Sequence, residues 1–257
     1  GDQGQMTVDF FRKLALGTSL KKASVAKPPT PTPVKAEKQA KKGKKARKTT
    51  KKDGFENDAE LNSYRKKYKI KVRGDGVVAP LRKFSELLRN GASEELVTAI
   101  KTGGGKKPTP VQMQAIPVIL EGRDAIITAP TGTGKTFAFL IPLMIRLQTI
   151  KEPGIKGVIV APTRELADQI CKEARKLSSD VRIFYLNKSL FNSWKAEKPT
   201  KLPDIIVCTP MRLLQACEEN ILSMEQVNFL ILDEVDRLLD DCFLEHMGKL
   251  IKLCQNG

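Results

Sequence analysis

DAIITAPTGTGKTFAFLIPLMIRL, residues 124–147, decides how this chain is read. Its first six residues form a short apolar run suited to a strand, and from Lys135 onward apolar positions recur at helical spacing. Between them lies APTGTGKT, Ala129–Thr136. Glycine is needed where the backbone turns sharply and brings its N–H groups onto phosphate oxygens. A lysine there reaches the β and γ phosphates, and the hydroxyl after it ligates magnesium. The order strand, glycine-rich loop, helix therefore predicts a phosphate-binding loop made by Ala129, Pro130, Thr131, Gly132, Thr133, Gly134, Lys135 and Thr136, with Ala129 where the general pattern has its first glycine. The plain alternative is a glycine-rich turn without a ligand.

A phosphate loop needs an acidic partner. NFLILDEVDRLLDD, residues 228–241, runs an apolar strand straight into Asp233, Glu234 and Asp236. Acids at a helix start offset the positive end of the dipole, which explains some of them. The sharper reading is an aspartate that holds magnesium and a base that orients water, at the C-terminal end of a parallel strand. Asp233 follows Lys135 by 98 residues, each motif closing an apolar strand, and that coincidence favours the sharper reading.

The same alternation of short apolar runs and longer helical segments extends from Phe84 to the end, the signal of β-α repeats around a parallel sheet. Strands are predicted at 124–129, 157–161, 181–186, 204–209 and 228–233. Helices are predicted for KTFAFLIPLMIRLQ, RELADQICKEARKL and PMRLLQACEEN. Ser93 opens a further helix, and VQMQAIPVILEG forms another after the break TGGGKKPTP. Phe191 and Trp194 lie in a stretch that reads equally as loop or short helix.

Charge separates this block from what precedes it. Residues 1–83 hold 23 Lys or Arg against 8 Asp or Glu, so +15 of the chain's +16 sits in that first third. The lysine run 35–52 follows the proline-rich KPPTPTP, a composition that cannot bury enough apolar surface to fold. The reading is a disordered basic extension over 1–60 with a possible short helix at 6–17, a basic linker or flanking segment over 61–83, and a folded α/β domain over 84–257. A lysine run of this kind serves as a nuclear or nucleolar address or as a phosphate-binding arm; a solubilising tail is the bland alternative. No apolar run approaches the roughly 20 residues that span a bilayer, and no membrane partner is expected. Five scattered cysteines without a C-x-x-C pair argue for reduced structural thiols, and the single histidine builds no metal cluster.

PTPVQMQAIP (108–117), APTGTGKT, PTREL (162–166), TPMR (209–212) and DEVD (233–236), in this order, resemble the motifs of the first RecA-like lobe of DEAD-box RNA helicases. The resemblance implies a RecA-like parallel sheet with helices on both faces, a P-loop NTPase that binds ATP and Mg2+. It implies that Gln112 reads the adenine edge, with Thr109 beside it and Phe84 stacking on the base. Lys135 and Thr136 would take phosphate and magnesium, Asp233 the magnesium shell, Glu234 the general base, and Asp236 the coupling between lobes. Pro162, Thr163 and Arg164, with Thr209, Pro210 and Arg212, would line an RNA backbone. A Thr-Pro pair opening a helix has a physical basis for that role, since free N–H groups and the positive dipole end face a phosphate. Such contacts do not read sequence.

Three departures stand out: Val235 replaces the family's alanine, Gly105 stands where an aromatic is usual, and VRIFYLNKSLFNSW occupies the region of a paired-glycine RNA motif. MTVDFFRKLALG, SYRKKYKIKVRG and PTPVQMQAIPV are similar to a nucleolar subgroup acting on small-subunit ribosomal RNA precursors. That subgroup implies a nuclear, nucleolar place and pre-ribosomal proteins or a helicase cofactor as partners. The resemblance also implies a C-terminally truncated lobe, with its Ser-Ala-Thr motif and the second lobe's arginine fingers lying beyond Gly257. Because an arginine finger contributes a factor of about 10³–10⁵, the lobe alone would be nearly inactive. A non-catalytic RNA-binding assembly factor and a DNA helicase or translocase are the competing readings.

Overall fold

The computed structural model of the chain describes residues 54–238, except 151 and 179, together with 246 and 249. The expected helix at 6–17, the lysine run, Cys242 and Cys254 lie outside the described residues. Upstream of the sheet come α1 (Asp58–Lys67), a 3-10 helix (Phe84–Asn90), α2 (Glu94–Gly103), α3 (Pro110–Leu120) and α4 (Lys135–Leu147). The sheet and its crossovers follow as β1 (Gly157–Val160), α5 (Arg164–Leu177), β2 (Ile183–Tyr185), α6 (Lys188–Ala196), β3 (Ile205–Cys208), α7 (Pro210–Glu218), β4 (Phe229–Leu232) and α8 (Val235–Leu238).

The four strands pair in the order β2-β3-β1-β4, all in parallel. Each crossover carries a helix, as parallel pairing requires. Val160 lies opposite both Cys208 and Leu232, and Tyr185 lies opposite Val207. All four strands consequently end along one edge, and the segments leaving them begin side by side.

Successive strand residues face two cores. Ile159, Ile183, Ile205 and Val207 join a core completed by α2, α4 and α5. Val158, Val160, Ile206 and Cys208 join Phe191 and Trp194 of α6 and Leu213 and Leu214 of α7 in the other. Helices therefore cover both faces, which is why GVIV and IIVC are apolar without alternation. Cys171 and Cys208 are buried and Cys217 partly so, all unbridged; burial pushes the Cys171 thiol up to about 11.

Two expectations change and one open reading closes. Residues 124–129 pair with no strand among the described residues, and Ile126 is 66% exposed, so the sheet has four strands where five were expected. An apolar run specifies strand propensity, whereas a ladder requires a partner strand in register. The stretch that read as loop or short helix is α6. Asn187 caps it by accepting the Leu190 N–H at 2.8 Å, and the helix buries Phe191 and Trp194.

The domain boundary also moves. Phe55 is 1% exposed, and α1 begins inside the segment assigned to the disordered extension. Arg65 donates to Gln114 Oε1 on α3 at 3.0 Å and to the carbonyls of Val77 and Val78 at 3.3 and 3.0 Å. Arg82 stacks on Phe55 at 3.9 Å and pairs with Glu60 at 2.8 Å. Residues 61–83 were expected as a basic linker or flanking segment; Arg65 ties them to α3 and Arg82 ties them to Phe55 and Glu60.

Candidate nucleotide and RNA site

The glycine-rich loop leads into α4. Gly132 and Gly134 take φ +74° and +87°, a left-handed conformation that glycine adopts without steric cost. A Cβ on Gly134 would lie 2.5 Å from Gln112 Nε2, so space as well as dihedral demands glycine there. The loop is closed on itself: Thr133 Oγ1 donates to Pro130 O at 2.7 Å, and Lys135 Nζ donates to Ala129 O at 2.7 Å. A phosphate approaching Lys135 would exchange with that carbonyl.

α3 locks against this loop from the other side. Gln112 is 2% exposed; its Oε1 accepts the Thr109 N–H at 3.0 Å, and its Nε2 donates to Gly134 O at 3.1 Å. Gln112 thus presents no free amide edge, although one N–H and one lone pair remain. Thr109 and Gln112 form a capping box at the start of α3, with Thr109 Oγ1 turned toward the Gln112 backbone N–H. Phe84 is corrected outright as a base-stacking ring: it is 1% exposed within the core, with no face open to a base. Its spacing upstream of Gln112 suggested the role, and the packing of the 3-10 helix removes it.

At the end of β4, Asp233 Oδ1 accepts the Glu234 N–H at 3.0 Å. Burial raises the Asp233 carboxyl above its ordinary value. The Glu234 N–H bond opposes this, the charge of Glu234 adds to it, Lys135 lowers it, and Asp236 raises it. The influence of Lys135 on Asp233 joins the two motifs in one field. Glu234 takes φ +49°, uncommon for a residue with a side chain, and its Oε2 pairs with Arg237 Nη1 at 3.0 Å. Among the described residues no group of three His, Cys, Asp or Glu could hold a metal alone. The Asp233 carboxyl and the Thr136 hydroxyl next to Lys135 are oxygen donors of the kind magnesium takes, since it keeps several waters and needs only one or two carboxylates plus substrate phosphates. The glycine cradle and Lys135 fit a nucleotide.

Along the same edge, Thr163 caps α5 by accepting the Leu166 N–H at 3.2 Å. Thr209 stands before Pro210 at the start of α7 without a side-chain cap bond. Arg164 is exposed and Arg212 partly so, whereas Pro162 and Pro210 are buried. The two prolines therefore shape the backbone and do not themselves line a surface, correcting their side-chain role. Arg212 lies over the Phe191 ring at 4.7 Å, a contact that sequence reasoning missed. Its only signal was the helical spacing of Leu190, Phe191 and Trp194.

The family profile described as DEAD/DEAH box helicase matches residues 109–256, which include the loop, both edge segments and the acids. The chain belongs to the DEAD/DEAH box helicase family. It is 41% identical over 200 residues to the "Probable ATP-dependent RNA helicase ddx52" of Dictyostelium discoideum, covering 77% of this chain and 30% of that protein. It is 37% identical over 210 residues to the ATP-dependent RNA helicase ROK1 of Saccharomyces cerevisiae, covering 77% and 37%. The crystal structure of the RNA helicase Prp28 from Chaetomium thermophilum bound to ADP superposes with a TM-score of 0.69 at 32% identity, covering 79% of this chain and 51% of that one. The chain thus spans about a third of the length of these curated relatives.

Within this DEAD-box domain the three departures have local settings. Gly105 takes φ +96° in an exposed turn, where an aromatic would be strained. Val235 opens α8 partly buried. The segment without paired glycines forms β2 and α6, placing Phe191 beneath Arg212.

Proposed function

We propose that this chain supplies the first lobe of an ATP-dependent RNA helicase, binding Mg2+-ATP at the glycine-rich loop and an RNA backbone along the adjoining sheet edge. ATP hydrolysis by the whole protein then drives local opening of short duplexes. The observation that carries this reading is that Asp233 and Glu234 leave β4 beside the helix starts at Thr163–Arg164 and Thr209–Arg212, at one end of a parallel sheet, with the charge of Lys135 acting on Asp233. Lys135 and the loop take the phosphates, Thr136 and Asp233 hold magnesium largely through water, Glu234 orients and deprotonates the attacking water, and Asp236 couples the lobes. Gln112 recognises adenine once nucleotide frees it from Gly134. Phosphoryl transfer depends almost entirely on positioning and charge stabilisation, so these groups suffice only when the opposite side of the phosphates is also closed.

The resemblance of SYRKKYKIKVRG and PTPVQMQAIPV to the nucleolar subgroup supports a role in small-subunit ribosomal RNA processing, with pre-ribosomal proteins as partners. The deciding experiment is calorimetric Mg2+-ATP binding and steady-state turnover by the 257-residue chain, with and without single-stranded RNA or DNA, alongside Glu234→Gln and Lys135→Ala. The reading stands if ATP binds in a Lys135-dependent manner, binding survives in Glu234→Gln, and turnover is slow. Absence of ATP binding removes the enzyme reading, and equal stimulation by DNA and RNA favours a translocase.

A further inference from the structure

Arg212 is gripped from a neighbouring helix. Its guanidinium lies 4.7 Å from the centroid of the Phe191 ring, and Nη1 donates to Gln215 Oε1 at 2.8 Å. Gln215 Nε2 donates onward to Glu219 Oε1 at 3.3 Å, and Glu219 Oε2 pairs with Lys195 Nζ at 2.8 Å. The Lys195 hydrogen bond is the largest of the influences holding the Glu219 carboxyl below its ordinary value. Phe191 and Lys195 are four residues apart on α6, while Arg212, Gln215 and Glu219 step by three and four along α7, so each set shares one helix face. The two faces therefore meet at both ends of the row, through a ring at Arg212 and an ion pair at Glu219.

The ring is itself immobile, since Phe191 is 2% exposed in the core that also holds Trp194. Stacking occupies a face of the guanidinium plane and leaves its edge donors available. One of the five N–H groups goes to Gln215, and the rest can address a phosphate. An arginine restrained in this way loses less rotamer freedom on binding than a free one.

We infer that Phe191 is a positioning residue for recognition of the RNA backbone, holding the Arg212 guanidinium at the start of α7 beside the C-terminal end of the sheet. This rests on Arg212 being a phosphate contact, as proposed above. In this chain, α6 occupies the region where the family's paired glycines are missing, and it acts on RNA through Arg212.

The test is anisotropy titration of labelled single-stranded oligouridine RNA with the full 257-residue chain and its variants, each checked by Trp194 fluorescence, thermal melting and ATP binding. Phe191→Leu keeps an apolar core residue and removes the ring; it should weaken RNA binding about two- to fivefold, the scale of an exposed cation–π contact. Phe191→Tyr should restore wild-type affinity, and Phe191→Leu should have no further effect in an Arg212→Ala background. Gln215→Ala, which leaves the core untouched, should weaken RNA binding in the same direction and remain informative if Phe191→Leu fails to fold. The inference is overturned if Arg212→Ala weakens binding while Phe191→Leu and Gln215→Ala are silent, or if Phe191→Leu acts equally with and without Arg212. Wild-type binding by Arg212→Ala would instead overturn the RNA reading of that residue, and this inference with it.

Discussion

Asp233 is a residue whose proposed role in holding magnesium opposes stability. Burial, reinforced by the charges of Glu234 and Asp236, raises its carboxyl, so the proton is held more tightly in the folded chain than in the unfolded one. A carboxyl with a folded value above its unfolded one contributes most at low pH, and its contribution is lost as pH rises through the raised value. Asp233→Asn should therefore melt at a higher temperature than wild type in EDTA at pH 7, and the gap should close toward about pH 4. The same variant should lose magnesium-dependent ATP binding. Thermal melts across that pH range, with calorimetry, check both. Gly134 is constrained in another way. Gly134→Ala meets a positive φ and the Gln112 amide together, and should cost about 1–3 kcal/mol in a urea melt.

At the scale of elements, α6 shows why a short helix escapes a sequence reading. Its nine residues carry only a few apolar positions, and β2 just before it has only three residues. Its stability comes from the Asn187 cap and from burying Phe191 and Trp194. Asn187→Ala should destabilise the chain by about 1 kcal/mol. Trp194 is the only tryptophan, so fluorescence in a denaturant titration would report the loss directly. α1 makes the complementary point, because its lysines and arginines looked like linker composition. Arg65→Ala should destabilise by about 1.5–3 kcal/mol by removing a charged donor from Gln114, Val77 and Val78, measurable in the same titration.

For the whole molecule, the consequential feature is the apolar surface exposed at Leu230 of β4 and at Ile126. Among the described residues β4 pairs with β1 alone; Leu230 is 43% exposed and Ile126 66% exposed. Large apolar side chains exposed together favour association with another apolar surface. The chain should therefore self-associate with rising concentration. Leu230→Lys should suppress this in sedimentation velocity while changing stability by no more than about 0.5 kcal/mol, as for most surface substitutions.

The sequence by itself determined the chemistry that depends on neighbours in the chain. The glycine-rich loop, the acids closing a strand, the Ser93 cap and the periodic faces of α4 and α5 are set by residues only a few positions apart. Tertiary structure alone decided that residues 124–129 stay outside the described sheet and that Phe84 turns into the core. It also decided that the amide of Gln112 closes onto Gly134, and that Arg212 rests on Phe191. Each of these depends on a partner distant in sequence or on its absence, and no local pattern of propensity or spacing contains that information.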